Sequence, residues 1–157
     1  MSSIFDSDTF LGQEYSGKLD DVMTPVPTGV YTAVIDRYGI SQIQRDDGSE
    51  PLVLEITWAI DDPDEAVKRI TKRKRNSVRQ SVWIEDLTTN AQGALTVDVS
   101  PGCNVRLGQF LSAVGLNTGS PWSWSQLQGK AAKVEVNHTV SKKDGEVYAN
   151  VKTVHRL

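Results

Sequence analysis

Sulfur and imidazole are scarce in this sequence. Its 157 residues hold one cysteine, Cys103, and two histidines, His138 and His155. A lone cysteine excludes an internal disulfide and a zinc site built from several thiolates. It fits a reducing compartment and reads as a small packing residue. No apolar run reaches the length of a membrane span, and no secretory h-region is present. The expectation is a chain neither exported by a standard signal nor set in a membrane. Also missing are a glycine-rich phosphate loop, a nucleophile elbow, a paired metal-ligand motif and any internal repeat. These absences point away from an enzyme and imply no cofactor and no metal.

What is present is uneven. The net charge is -3, from 17 basic and 20 acidic residues. Residues 1–28 hold Asp6, Asp8, Glu14, Asp20 and Asp21 against Lys18 alone, a balance of -4. The remainder is therefore close to neutral, at +1. A near-neutral body gives no long-range steering toward a polyanion, so nucleic-acid binding would need a local patch. The first 28 residues scatter single apolar side chains among turn formers: Ile4, Phe5, Phe10, Leu11, Tyr15, Leu19, Val22 and Met23. These are too few to offset the entropy of ordering the segment, which therefore reads as an extended acidic arm. Such an arm is ordered when something holds it: its own barrel, a neighbouring molecule or a larger assembly.

From residue 29 the sequence alternates. Pro25 and Pro27 bar a helix, and Gly29 opens a strand over residues 29–40 with Tyr31, Ala33 and Ile35 on one face. A turn at residues 45–49 leads to the clearest strand, with Leu52, Leu54, Ile56, Trp58 and Ile60 sharing a face. Asp62-Pro63-Asp64-Glu65 reads as a helix start, with Asp62 as cap, Pro63 first in the helix and Glu65 completing a capping box. Asp64 with Lys68 and Glu65 with Arg69 have favourable spacing. The helix should end near Lys72, whose basic followers meet its negative end. That placement also accounts for the acidic group of Asp61, Asp62, Asp64 and Glu65, whose spacing is not that of a calcium loop.

A third strand is expected over residues 78–87, a turn over 88–93, and a short return strand carrying Leu95, Val97 and Val99. Asn104 is placed to cap the main helix, in which Leu107, Phe110, Leu111 and Val114 follow one buried face. Gly115 and Leu116 supply its left-handed stop and back-packing contact. The last two strands, residues 131–140 and 147–157, form a hairpin through Lys142-Lys143-Asp144-Gly145. With Val140 facing Val147, strict alternation sets Val136 against Val151, Val134 against Thr153 and Glu135 against Lys152. It sets His138 and His155 opposite Ala149 and Ala132, too far apart to act together; both read as structural.

Three main strands, a helix and two further strands is the order of an OB-fold. The expected fold is thus mainly β: a five-stranded OB-like Greek-key barrel over residues 29–157, one α-helix between its third and fourth strands, and the N-terminal arm. An SH3-like barrel or small sandwich is the alternative.

Several stretches carry a resemblance. Pro27-Thr28-Gly29-Val30-Tyr31, Val78-Arg79-Gln80-Ser81-Val82-Trp83, Asn104-Val105-Arg106-Leu107-Gly108-Gln109-Phe110-Leu111 and Leu127-Gln128-Gly129-Lys130 resemble small proteins of tailed bacteriophages. The similarity runs from Pro25 to Leu157 and concerns fold residues rather than catalytic ones. It implies a phage source and a barrel. Proteins of this layout include single-stranded-DNA-binding OB proteins, and OB-like modules also decorate phage heads. The chain departs from the usual single-strand-binding pattern: its acidic tail is N-terminal, and its last residues, Val154-His155-Arg156-Leu157, are basic.

Two sets of residues are functional candidates. The first is the basic run Lys68, Arg69, Lys72, Arg73, Lys74, Arg75 and Arg79, with Trp83 on the polar face of the third strand and Tyr148 and Lys152 on that of the fifth. Together they offer stacking platforms beside phosphate contacts. The plainer account makes the run the solvated end of a capped helix, balanced by the acids before it. The second set is the arm: Ile4, Phe5, Phe10, Leu11, Tyr15 and Leu19 as docking anchors. Trp58 reads as core, and Trp122 with Trp124 as a lid over one end of the barrel.

Two functions follow. The first is a virion component, a head decoration or cement protein made in the host cytoplasm and strapped to a capsid or other virion protein by its arm. The second is a phage single-stranded-DNA-binding protein of replication or recombination, whose acidic arm competes for the basic groove or recruits partners. Arm and near-neutral body favour the first, which is the function expected; the basic run favours the second, the alternative. A homo-oligomer fits either.

Overall fold

Alternating side chains build the body, and two departures from alternation close it. A computed structural model describes residues 4–157. The long strands are β1 (Gly29–Gln42), β2 (Leu52–Ile60), β3 (Ser77–Ile84), β6 (Ala131–Val140) and β7 (Val147–His155). A separate short hairpin joins β4 (Leu87–Thr89) to β5 (Leu95–Val97). The helices are α1 (Ser7–Leu11), α2 (Ala66–Thr71) and α3 (Val105–Ala113), with a 3-10 turn at Trp124–Leu127. The fold is mainly β, around one five-stranded sheet. Its pairings run β1-β2-β3-β7-β6 and return to β1. Neighbours are antiparallel except β3 and β7, which run parallel and meet at Arg79 and Asn150.

The interior takes Ala33 and Ile35 from β1, Leu54, Ile56 and Trp58 from β2, Val78, Val82 and Ile84 from β3, and Ala132, Val134 and Val136 from β6. Helix α3 stoppers one end with Leu107, Phe110 and Leu111, followed by Val114 and Leu116. The Phe110 ring meets the Trp58 ring edge-on, centroids 6.3 Å apart. Each such buried side chain contributes roughly 1.5–3 kcal/mol through water release. Trp58 Nε1 donates to Gln80 Oε1 at 2.8 Å, so its polar end is satisfied. Trp122 and Trp124 meet edge-to-face, centroids 4.8 Å apart, and pack against the core.

A bulge corrects the expected hairpin register, and a second one bends β1. In β6–β7, Val140 faces Val147 and Val136 faces Val151 as expected, but Glu135 faces Thr153 and Val134 faces Val154. The expected Glu135–Lys152 and Val134–Thr153 pairs do not form; Lys152 is the extra residue, and His155 lies opposite Lys133. Packing is the reason. Val151 and Val154 both lie against the core, which a two-residue period forbids without an insertion. The same device at Asp36 puts both Ile35 and Tyr38 on the core side of β1. Each bulge sharpens the local bend that a closed sheet needs.

Helix starts differ too. Helix α2 begins at Ala66, not Pro63, because Glu65 is left-handed at φ 55° and forms no capping box. Asp62 still caps, accepting from the Val67 and Lys68 amides at 3.1 and 3.0 Å. Those bonds hold its carboxyl below the usual range. The expected four-apart ion pairs are replaced by Lys68 on Glu65 at 3.3 Å and Arg69 on the Asp64 carbonyl. Asn104, the expected cap of α3, is left-handed at φ 52° and makes no cap bond. Its side chain instead ties Asp86 to the Asp98 carbonyl at the base of the β4–β5 hairpin. That knot ends β3 at Ile84, short of Leu87. Val99 lies outside β5 and is exposed.

Within residues 1–28 the chain is not uniformly extended, since α1 interrupts it. Its final residues join the core of the body. Val26 is 1% exposed, its carbonyl lies 2.7 Å from His138 Nε2, and Tyr31 donates to the Pro27 carbonyl at 2.6 Å. No helix among the described residues is long and apolar enough to cross a membrane.

Candidate functional site

The outward face of β3 presents Arg79, Ser81 and Trp83, and the register extends it sideways. Arg37, Thr57, Arg79 and Asn150 form one row across β1, β2, β3 and β7. The next row holds Gly39, Glu55 and Ser81, with Ser81 donating to Glu55 at 2.9 Å. Beyond it, Ser41, Val53 and Trp83 align.

The basic connection enters this face from below. Lys72 ends α2 in the left-handed region, and its amide closes the last turn on Lys68. Buried Thr71 and Asn76 then pin the loop: the Thr71 hydroxyl accepts from the Arg73 amide, and the Asn76 amide donates to the Arg73 carbonyl. Asn76 Oδ1 is buried without a partner. Among the described residues the ion pairs are Lys18–Asp21, Arg37–Asp36, Arg45–Glu85 and Lys68–Glu65. Lys72, Arg73, Lys74, Arg75, Arg79 and Lys152 therefore stand without a carboxylate partner. The acids before α2 hold its first turn and Lys68, and do not balance the run that follows.

A groove of about 750 Å³ runs beside β3. Its walls are residues 77–79 of β3, residues 147–150 at the start of β7, and residues 21–26 of the N-terminal segment. Arg73, Arg79 and Tyr148 line it, facing Asp21 and Glu146. The Tyr148 hydroxyl donates to Asp144 at 2.8 Å and also contacts Glu146. The Asp144 bond, more than burial, pushes its pKa up to about 12. Lys74 and Arg75 stay outside the groove and Lys152 stands exposed on the β7 bulge, so three of the eight nucleic-acid candidates converge there.

Trp83 is not an open platform. The Arg45 guanidinium lies 4.7 Å from its ring centroid. Arg45 is gripped by Glu85 through Nη1 at 2.9 Å and Nη2 at 2.7 Å. Beside this stack, Val53 is 2% exposed although it faces outward. In the sequence Arg45 is a turn residue, and no local spacing marks its contact with Glu85 forty positions away.

The arm candidates lie away from all of this. Ile4, Phe5, Phe10, Leu11, Tyr15 and Leu19 are between 51% and 95% exposed. Phe5 and Phe10 touch each other, ring centroids 5.7 Å apart. Among the described residues no hydrogen bond joins residues 4–24 to the barrel. Burial, reinforced by Asp98 and Asp86, pushes the Cys103 thiol up, which disfavours the reactive thiolate. No protein-family model matches this chain, and no curated protein matches it.

Proposed function

We propose that this chain is a non-enzymatic single-strand nucleic-acid-binding protein on an OB-type barrel, of phage origin. The observation that carries the reading is the run Lys72 to Arg75 with Arg79, without carboxylate partners, leading into and along β3, whose outward face also holds Trp83 beneath Arg45. The strand order, with α3 between β3 and β6 and a parallel β3–β7 contact, supports the OB assignment. In that fold oligonucleotides lie across the second and third strands, between the loop joining the first two strands and the loop joining the last two. Here those loops supply Arg45 and the Asp144–Tyr148 contact. The +1 balance of the body is a sum over its whole surface and understates this local concentration. Arg37, Arg79 and the 72–75 run offer phosphate contacts; Glu55 and Ser81 offer hydrogen bonds to base edges.

The test is fluorescence anisotropy with labelled oligo-dT and a duplex of equal length, over a salt series. Single-strand-selective binding that weakens as salt rises supports the reading; absence of binding at low salt refutes it.

A second reading has its own observation. The arm's apolar side chains are exposed, which suits a strap docking on a capsid or other virion protein. Constant stoichiometry of the chain in purified phage heads supports that role as a head decoration or cement protein. Absence from virions removes it.

A further inference from the structure

Arg45, paired with Glu85, covers the Trp83 ring on the outward face of β3. We propose that Arg45 is a nucleotide-binding clamp: the polynucleotide phosphate replaces Glu85 on its guanidinium edge, while a base stacks on the guanidinium face turned away from Trp83. The inference rests on the single-strand-binding reading.

The geometry suits an exchange. The planar guanidinium has its Cζ over the Trp83 ring, 4.7 Å from the centroid, and both Nη atoms on the Glu85 oxygens. No second ring is stacked on it among the described residues. Bases stack on arginine planes as they do on aromatic rings. A phosphate presents the same paired oxygen acceptors as a carboxylate, so the fork transfers without changing shape. Both partners are partly exposed, at 35% and 48% for Arg45 and Glu85, so a phosphate arriving from solvent can reach the fork and compete for it. Through the exchange the cation stays on the indole, which keeps the loop in place.

The loop is preorganised for it. The β1–β2 hairpin continues past its strand ends through Ile43 on Pro51 and Arg45 on Ser49, with a turn closed by Gly48 on Arg45. Gly48 has φ 86°, a conformation open to glycine at little cost. Trp83 stands four residues along β3 from Arg79, about 13 Å at roughly 3.3 Å per residue. One extended strand of nucleic acid reaches both.

The experiment uses the full chain and labelled oligo-dT. Glu85→Gln keeps the side-chain shape and frees Arg45. It should tighten binding about twofold to fivefold, the equivalent of one exposed ion pair removed from the free protein. Arg45→Lys keeps the charge but loses the planar fork, and should weaken binding. In an Arg45→Ala background the gain from Glu85→Gln should vanish, which separates release of Arg45 from a general loss of negative charge. Equal gains in both backgrounds, or unchanged binding by Glu85→Gln, overturn the clamp and leave the single-strand-binding reading intact. Failure of the unmodified protein to bind oligo-dT overturns both.

Discussion

Replacing Lys72, Arg73, Lys74 and Arg75 together by alanine tests the central electrostatic argument. None of these side chains makes an ion pair or a side-chain hydrogen bond; the loop is pinned through the Arg73 backbone. The fold should therefore survive, with a stability change of about 0.5 kcal/mol or less, as for most surface substitutions. Lys72 already carries a Cβ in the left-handed region, so alanine adds no strain there. Each cation that neutralises a phosphate adds about 0.7 to the slope of log affinity against log salt for a single strand. If all four engage, the variant's slope is flatter by about 3. Between 50 and 200 mM salt the unmodified protein would then lose roughly 50-fold more affinity than the variant. If only the groove-lining Arg73 engages, the difference falls to about threefold. Anisotropy titrations at four salt concentrations resolve these cases. Parallel slopes for the two proteins would refute the argument that unpaired cations mark the binding surface.

Three other outcomes are expected. Trp58→Phe should lower the unfolding free energy in urea by about 1–3 kcal/mol, because it strands the Gln80 carbonyl bonded to the indole; an unchanged midpoint contradicts this. Tyr148 should be the last tyrosine of the folded chain to ionise in an alkaline titration read by phenolate absorbance. Its raised pKa means a stabilising contribution present below about pH 10 and lost as pH rises through about 12. Asp144→Asn should bring that ionisation down, and an unmoved titration excludes Asp144 as the cause. On the strap reading, Phe10→Ala with Leu11→Ala should leave the thermal midpoint unchanged yet reduce occupancy on phage heads more than Asp6→Asn with Asp8→Asn; a larger effect of the acidic pair counts against apolar docking.

The elements that alternate or repeat cleanly were legible in the sequence. Leu54, Ile56 and Trp58 face inward on β2, and Leu107, Phe110, Leu111 and Val114 bury one side of α3 as their spacing requires. The bulges were not legible, because an insertion looks locally like a lapse of pattern. Tyr38 and Val154 are out of phase with their strands until the partner strand is known. Asn104 misled for a related reason. Its amide suits a helix cap, but backbone groups of Asp86 and Asp98 hold it instead. At the candidate site the basic residues could be read as a run, whereas their lack of partners is a property of three-dimensional neighbours. Arg45 on Trp83 is the extreme case, a contact between a turn and a strand with nothing in either segment to announce it.

The β3–β7 junction has a consequence for how the molecule breathes. Elsewhere the ring is held by ladders of many pairs, but here a single pair, Arg79 and Asn150, joins parallel strands. Sub-global opening should start along this seam, with the amides of residues 147–150 on the β3 side exchanging with deuterium ahead of those in β2. The groove follows the same seam, and Arg79 and Tyr148 stand on its two banks. A ligand that spans them binds the shut ring and not the parted one, so it acts as a stitch. Occupancy should then slow exchange at the seam first, and raise the melting temperature in step with ligand concentration.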